Sequence, residues 1–200
     1  MSASPPPLIS PTVGTTIMGP LFIVTERFDQ SRGDSWHSYV ESFGLDQVAE
    51  VVSLDASLCP TVVSEVDDAD WPHVVNESFM LDYFTDLEYL LGRCDGIEGR
   101  NLLCVFRNPE VLPVPPDTSW GFRFEGCDLV DVQGGVSALS NCGGFPKAFA
   151  NTELSSCGLL SSLERAQEVQ RALKCYYPSE AHADCHVWAV FRASQLHDAD

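Results

Sequence analysis

Residues 161–192 read SSLERAQEVQRALKCYYPSEAHADCHVWAVFR, and two different periods meet inside them. Leu163, Ala166, Val169 and Leu173 recur at steps of three and four, which lines them up on one stripe of an amphipathic helix over about 162–177. Ser161 and Glu164 have the spacing of a capping box at its start, and Pro178 ends it. From Cys185 to Arg192 the pattern alternates as a strand does. A helix followed at once by a strand brings both kinds of element into one unit.

The rest of the chain extends that pattern. Leu21 to Thr25, β-branched and aromatic after Pro20, predicts a first strand. Asp34 and Ser35 offer an N-cap for a short helix through Phe43, stopped by Gly44. Residues 48–54 predict a second strand, 102–107 a short buried one, and 120–132 one or two more around Gly126. A long helix is expected over 71–92. Met80, Phe84, Leu87 and Leu91 form its stripe, Tyr83 and Leu90 widen it, Pro72 suits its first turn and Gly92 stops it. Between these elements lie a proline-rich loop from Pro109 to Pro116 and a turn cluster from Ser140 to Pro146. The expected fold is α+β: a single domain over 21–200 with a mixed or antiparallel sheet and two main helices. Residues 1–20, rich in Pro, Ser, Thr and Gly, read as a flexible leader.

Composition narrows the classes of function. Among 200 residues, 29 Asp and Glu face 11 Lys and Arg, a formal charge of −18, while 44 % hydrophobic residues are enough for a core. So negative a surface repels nucleic acid and anionic membrane, and neither is expected as a partner. The charge is uneven: residues 26–100 carry −13 and residues 101–200 carry −5. The N-terminal 20 residues hold no Lys or Arg and several prolines, unlike a secretory signal. Apolar runs are strand-sized, far short of the roughly 20 residues a membrane helix needs. The 8 cysteines are evenly spread with no CxxC pair, and Cys104 sits in an apolar run, so they read as reduced thiols of a cytoplasmic protein.

Four groups of residues carry candidate chemistry. Glu65, Asp67, Asp68 and Asp70 precede the expected long helix, and Asp82, Asp86 and Glu88 lie off its stripe. Asp82 and Asp86, four apart, fall on one helical face, where like charges cost a few tenths of a kcal/mol. A carboxylate surface aimed at a basic partner explains that arrangement; a solvated, solubilising face explains it too. Trp71, inside the cluster, has the position of an aromatic anchor ringed by charge, whereas Trp36, Trp120 and Trp188 read as core. Cys142 before two glycines, with His182 or His186 as base and Asp184 to orient it, is the alternative: a thiol hydrolase or transferase. A Cys packed in a tight turn is the plainer account. No metal or cofactor is expected. Asp67 to Asp70 lack an EF-hand's spacing and glycine, and His182, Cys185 and His186 lack a second ligand pair.

A small, acidic α+β chain with the carboxylate stretch 65–88 and no catalytic signature resembles the immunity proteins of bacterial toxin–immunity systems. The segments 126–131 and 137–146 are similar to sequences of uncharacterised bacterial families. The first resemblance implies a cytosolic, non-catalytic inhibitor that binds a cognate toxin domain. Many such toxins are nucleases with basic, phosphate-holding sites. Glu65, Asp67, Asp68, Asp70, Trp71, Asp82, Asp86 and Glu88 would then meet that basic partner.

Overall fold

In the computed structural model the described residues are 19–63, 65–76, 81–132, 135–142 and 144–194. The expected leader lies outside them except for its last two residues. The strands are β1 (Leu21–Glu26), β2 (Phe28–Asp29), β3 (Glu50–Val51), β4 (Val74–Asn76), β5 (Asp82–Phe84), β6 (Arg100–Arg107), β7 (Phe122–Asp131) and β8 (Cys185–Ala193). The helices are α1 (Asp34–Phe43), α2 (Leu87–Arg93) and α3 (Leu163–Tyr176). Six strands form one antiparallel sheet in the order β4-β5-β1-β6-β8-β7, and β2 with β3 makes a small separate ribbon. The fold is a single α+β domain.

Strand alternation splits the core into two layers. Phe22, Val24, Leu102, Cys104, Phe106, Val187, Ala189 and Phe191 point to the face that the helices cover. There they meet Trp36 and Tyr39 of α1, Leu87 and Leu90 of α2, and the α3 stripe Leu163, Ala166, Val169 and Leu173. The opposite face carries Leu21, Ile23, Leu103, Val105, Trp188 and Val190. It is covered by irregular chain, with Val52, Leu54 and Leu159 supplying the apolar contacts. Irregular chain laid on a sheet buries backbone groups that no helix satisfies, so polar side chains must enter with it.

Gly126 marks where the last strand bends. The β7–β8 register slips between Phe124 and Gly126, and Gly126 has φ +148. A Cβ there would stand 2.7 Å from both Leu159 Cβ and the Leu160 carbonyl oxygen. Only glycine admits that approach, and the bulge brings Cys127 against Leu160 in a two-way backbone pair.

The 71–92 helix does not form. A one-turn 3-10 helix (Trp71–His73) leads into β4, which pairs with β5 through Val74 to Phe84, Val75 to Tyr83 and Asn76 to Asp82. Phe84 also pairs with Phe22 of β1, so the stripe read as helical is partly a strand recruited by the sheet. Only α2 remains helical, seven residues long. Met80 lies outside the described residues. Asp82 and Asp86 therefore share no helical face: Asp82 is in β5 and Asp86 caps α2. The strand expected over 48–54 shrinks to β3. The α3 cap is Ser162, whose Oγ accepts from Arg165 N at 3.2 Å, one residue later than the spacing indicated. α1 ends at Phe43 before Gly44 as expected but begins at Asp34, inside the expected cap, with Gly33 at its N-cap without a side-chain bond.

Candidate functional site

The segment before β4, together with the first turn of α2, carries an acidic rim beside a clamp built on one buried carboxylate. Asp70 is fully buried. Its Oδ1 accepts from the Tyr89 hydroxyl at 2.8 Å and from Arg93 Nε at 2.8 Å. Its Oδ2 accepts from Arg93 Nη2 at 3.0 Å and from Asp67 N at 2.9 Å. A two-pronged guanidinium–carboxylate pair fixes direction as well as charge. The Asp67 N–H, with Tyr89 and Arg93, holds the Asp70 carboxyl below the usual range against the effect of burial. Arg93 also donates to the Glu65 carbonyl at 3.2 Å, and the His73 ring stacks on Tyr89 at 3.9 Å. The clamp thus ties 65–73 to α2.

What the clamp presents is Trp71, 54 % exposed, among exposed Glu65, Asp67, Asp68, Asp86 and Glu88. Asp67 and Asp86 have local duties as well. Asp67 Oδ1 accepts from Ala69 N at 2.8 Å, and Asp86 Oδ1 accepts from Tyr89 N at 3.1 Å as the α2 N-cap. Asp82 is half-buried in β5, paired with Asn76 of β4. Of the eight expected residues, six are exposed on the two segments that Asp70 ties together from beneath, and Asp82 sits on a strand. Arg93, Tyr89 and His73 were not read from the sequence. Arg93 carried a signal, being the first Lys or Arg after Arg32 in a strongly acidic stretch.

A second carboxylate cluster lies under the far face. Asp128 is fully buried and accepts from Ser53 Oγ at 2.6 Å, Leu54 N at 3.0 Å, Leu129 N at 2.8 Å and Ser137 Oγ at 2.6 Å. Burial raises its pKa above the ordinary value, and those four donors oppose the rise. Asp55, also fully buried, accepts from Ser57, Leu58 N, Ser137 N and Asn141 Nδ2. Next to them, Arg192 bridges Glu50 at 2.8 Å and Glu125 at 3.1 Å, while Arg27 Nε and Nη2 grip Glu50 at 2.9 and 3.0 Å. These groups satisfy one another and the buried loop backbone.

The thiol arrangement does not assemble as a triad. The Cys142 thiol donates to the Ser137 carbonyl at 3.3 Å, and no histidine among the described residues hydrogen-bonds it. Burial and the nearby carboxylates of Asp55, Asp131 and Asp128 push its pKa up to about 12, the reverse of activation. His182 pairs through Nδ1 with Asp131 at 2.6 Å, whereas Asp184, the residue expected to orient it, pairs with Lys174. Val187 N occupies Asn108 Oδ1, so Asn108 Nδ2 donates to His186 Nδ1 at 2.8 Å. Burial and Arg107 lower the His186 pKa. All 8 cysteines are free thiols, and among the described residues no three His, Cys, Asp or Glu side chains converge as metal ligands. No helix of the described residues is long and apolar enough to cross a membrane. No family model, curated protein or solved structure matches the chain.

Proposed function

We propose that this chain is a cytosolic, non-catalytic binding protein whose acidic rim docks on a basic protein, in the manner of an immunity-type inhibitor blocking a toxin domain. The observation that supports this reading is Trp71, more than half exposed on a short turn that buried Asp70 ties, through Arg93 and Tyr89, to α2. A large aromatic left in water has a burial gain still to be realised, and a rigid mount keeps the ordering cost of binding low. Asp67, Asp68, Asp86 and Glu88 around it steer a cationic surface and favour it over neutral competitors. Glu65 extends the rim, and Asp70 acts as a positioning residue.

The test is titration of the chain with basic toxin nuclease domains at two salt concentrations. Binding should weaken at least about tenfold when Asp67 and Asp68 become Lys, and should fall as salt rises. Trp71→Ala should raise the dissociation rate more than it lowers the association rate, as an anchor does. Binding indifferent to both salt and charge reversal would overturn the reading.

A further inference from the structure

The connection from β6 to β7 crosses β8, and its middle carries an apolar surface that the fold leaves uncovered. Val111, Leu112 and Val114 are 76 %, 48 % and 87 % exposed. Three of the five large exposed hydrophobic side chains among the described residues thus fall within four consecutive positions. Scattered exposed apolar residues need no explanation; a contiguous run does.

The run is held stiff. Pro113, Pro115 and Pro116 fix φ, and each residue preceding a proline is confined to extended backbone, which covers Leu112, Val114 and Pro115. Both ends are pinned. Gln167 of α3 donates to the Pro109 carbonyl at 3.1 Å, and Asn108, at φ +46, exchanges backbone and side-chain bonds with Val187. At the other end Ser194 N donates to the Trp120 carbonyl at 3.0 Å. Between these anchors, residues 110–117 make no hydrogen bonds among the described residues, so the carbonyls stay open to an incoming donor.

We infer that residues 110–117 are a pre-ordered polyproline-type ligand strap, and that its partner is a domain with an aromatic-lined groove and a basic rim. Extended proline-rich chain presents apolar side chains and free carbonyls together, which aromatic grooves with indole or phenol donors read. Exposed Glu110 and Asp117 bracket the run, so cationic residues belong at the groove's rim. A second copy of this chain, itself at −18, is disfavoured by charge. The strap lies across the β6–β8–β7 half of the sheet, while the acidic rim belongs to the β4–β5 half. The two surfaces therefore stand or fall separately.

The test is direct binding of the full chain to immobilised polyproline-reading domains (SH3, WW and EVH1), grouped by the charge at their groove rims. Basic-rimmed domains should bind, and Val114→Asp should weaken them at least about tenfold, since a charge cannot enter an apolar groove without loss. Pro113→Ala with Pro115→Ala should weaken them less, by removing stiffness alone. Val114 contributes so little to the core that its variant folds normally, which near-ultraviolet circular dichroism checks. The inference is overturned if no basic-rimmed domain binds, if Val114→Asp leaves binding unchanged, or if acidic-rimmed domains bind equally. A concentration-dependent dimer abolished by Val114→Asp overturns it as well, and assigns the strap to a second copy.

Discussion

Two carboxylate clusters, the rim at 65–88 and the hub of Glu50, Asp55 and Asp128 beneath the far face, use the same side chains for opposite ends. In the hub every acid is buried and accepts several donors, mostly loop backbone and hydroxyls at Asp55 and Asp128, and the side chains of Arg27, Asn101 and Arg192 at Glu50. At the rim one acid, Asp70, is treated that way, while Glu65, Asp67, Asp68, Asp86 and Glu88 are exposed. The −13 carried by residues 26–100 therefore divides: Glu50, Asp55 and Asp70 are structural anchors, and the remaining surface charge is smaller and more local than the count indicates. Acid density marks a region, and burial with donor number sorts its members into architecture and surface.

The sharpest way to break the contrast is to disturb the hub. Arg192→Met leaves Glu125 without its guanidinium and Glu50 with Arg27 and Asn101, and should cost about 3 kcal/mol, the range for stripping one partner from a buried pair. Adding Glu50→Gln should recover part of that loss, because an unpaired charge is costlier to bury than an amide. Asp128→Asn comes next. Each Asp128 oxygen already accepts one hydroxyl and one backbone N–H, so an amide NH2 must face a donor. The expected loss is about 2 kcal/mol, read from the urea midpoint at unchanged slope. Changes this large at the rim, from Asp68→Asn for example, would erase the distinction.

Acid should separate the groups by sign. Burial pushes the Glu50 carboxyl up, but Arg27, Asn101 and Arg192 outweigh it and leave the pKa below its ordinary value. Its contribution is thus complete above the ordinary carboxylate range and is lost as pH falls through the depressed folded value. Asp70 has the same sign. Asp128 is raised, so its effect runs the other way: stability present at low pH declines as pH rises through its folded value. The urea midpoint should therefore fall on acidification below about pH 4.5. The fall should be shallower in Glu50→Gln and steeper once Asp128 is replaced by Asn.

How much of this was legible depended on whether a residue's period or its partners set its role. The α3 stripe and the alternation of Cys185–Ala193 are local patterns, and both appear where the sequence places them. The 71–92 stripe was equally regular, yet Val74–Val75 and Tyr83–Phe84 are β-branched or aromatic pairs that the sheet edge could recruit through Phe22. Periodicity cannot weigh that competition, because the deciding contact is some 60 residues away in sequence. The rim was readable as acid density around Trp71. Asp70's burial was not, since its partners Tyr89 and Arg93 join only when α2 folds against the loop. The hub left a fainter trace, an Asp128 flanked by apolar strand residues, and its donors come from segments 53–54 and 137.

Thiol chemistry offers a smaller test of the same sorting. Cys142 lies among the hub's carboxylates, and burial with those charges pushes its pKa up to about 12, away from the reactive thiolate form. Exposed Cys175 should be alkylated by iodoacetamide well before Cys142. If Asp128→Asn loosens the 137–142 turn, Cys142 should become reactive alongside the loss of stability.

The smallest effects belong to the rim, and there a small number carries the most information. Asp86 both caps α2 and faces water, so Asp86→Ala should cost about 1 kcal/mol, the usual worth of an N-cap. Asp68 is exposed and makes no hydrogen bond or ion pair among the described residues, so Asp68→Asn should change stability by less than about 0.5 kcal/mol. If both variants weaken association with a basic domain to the same degree while differing in stability, then binding reads surface charge and folding reads hydrogen bonds. If binding instead follows the stability loss, the rim acts only through the order of α2. Asp68 would then be a solvated charge that keeps the chain soluble, and Trp71 an exposed ring without a partner.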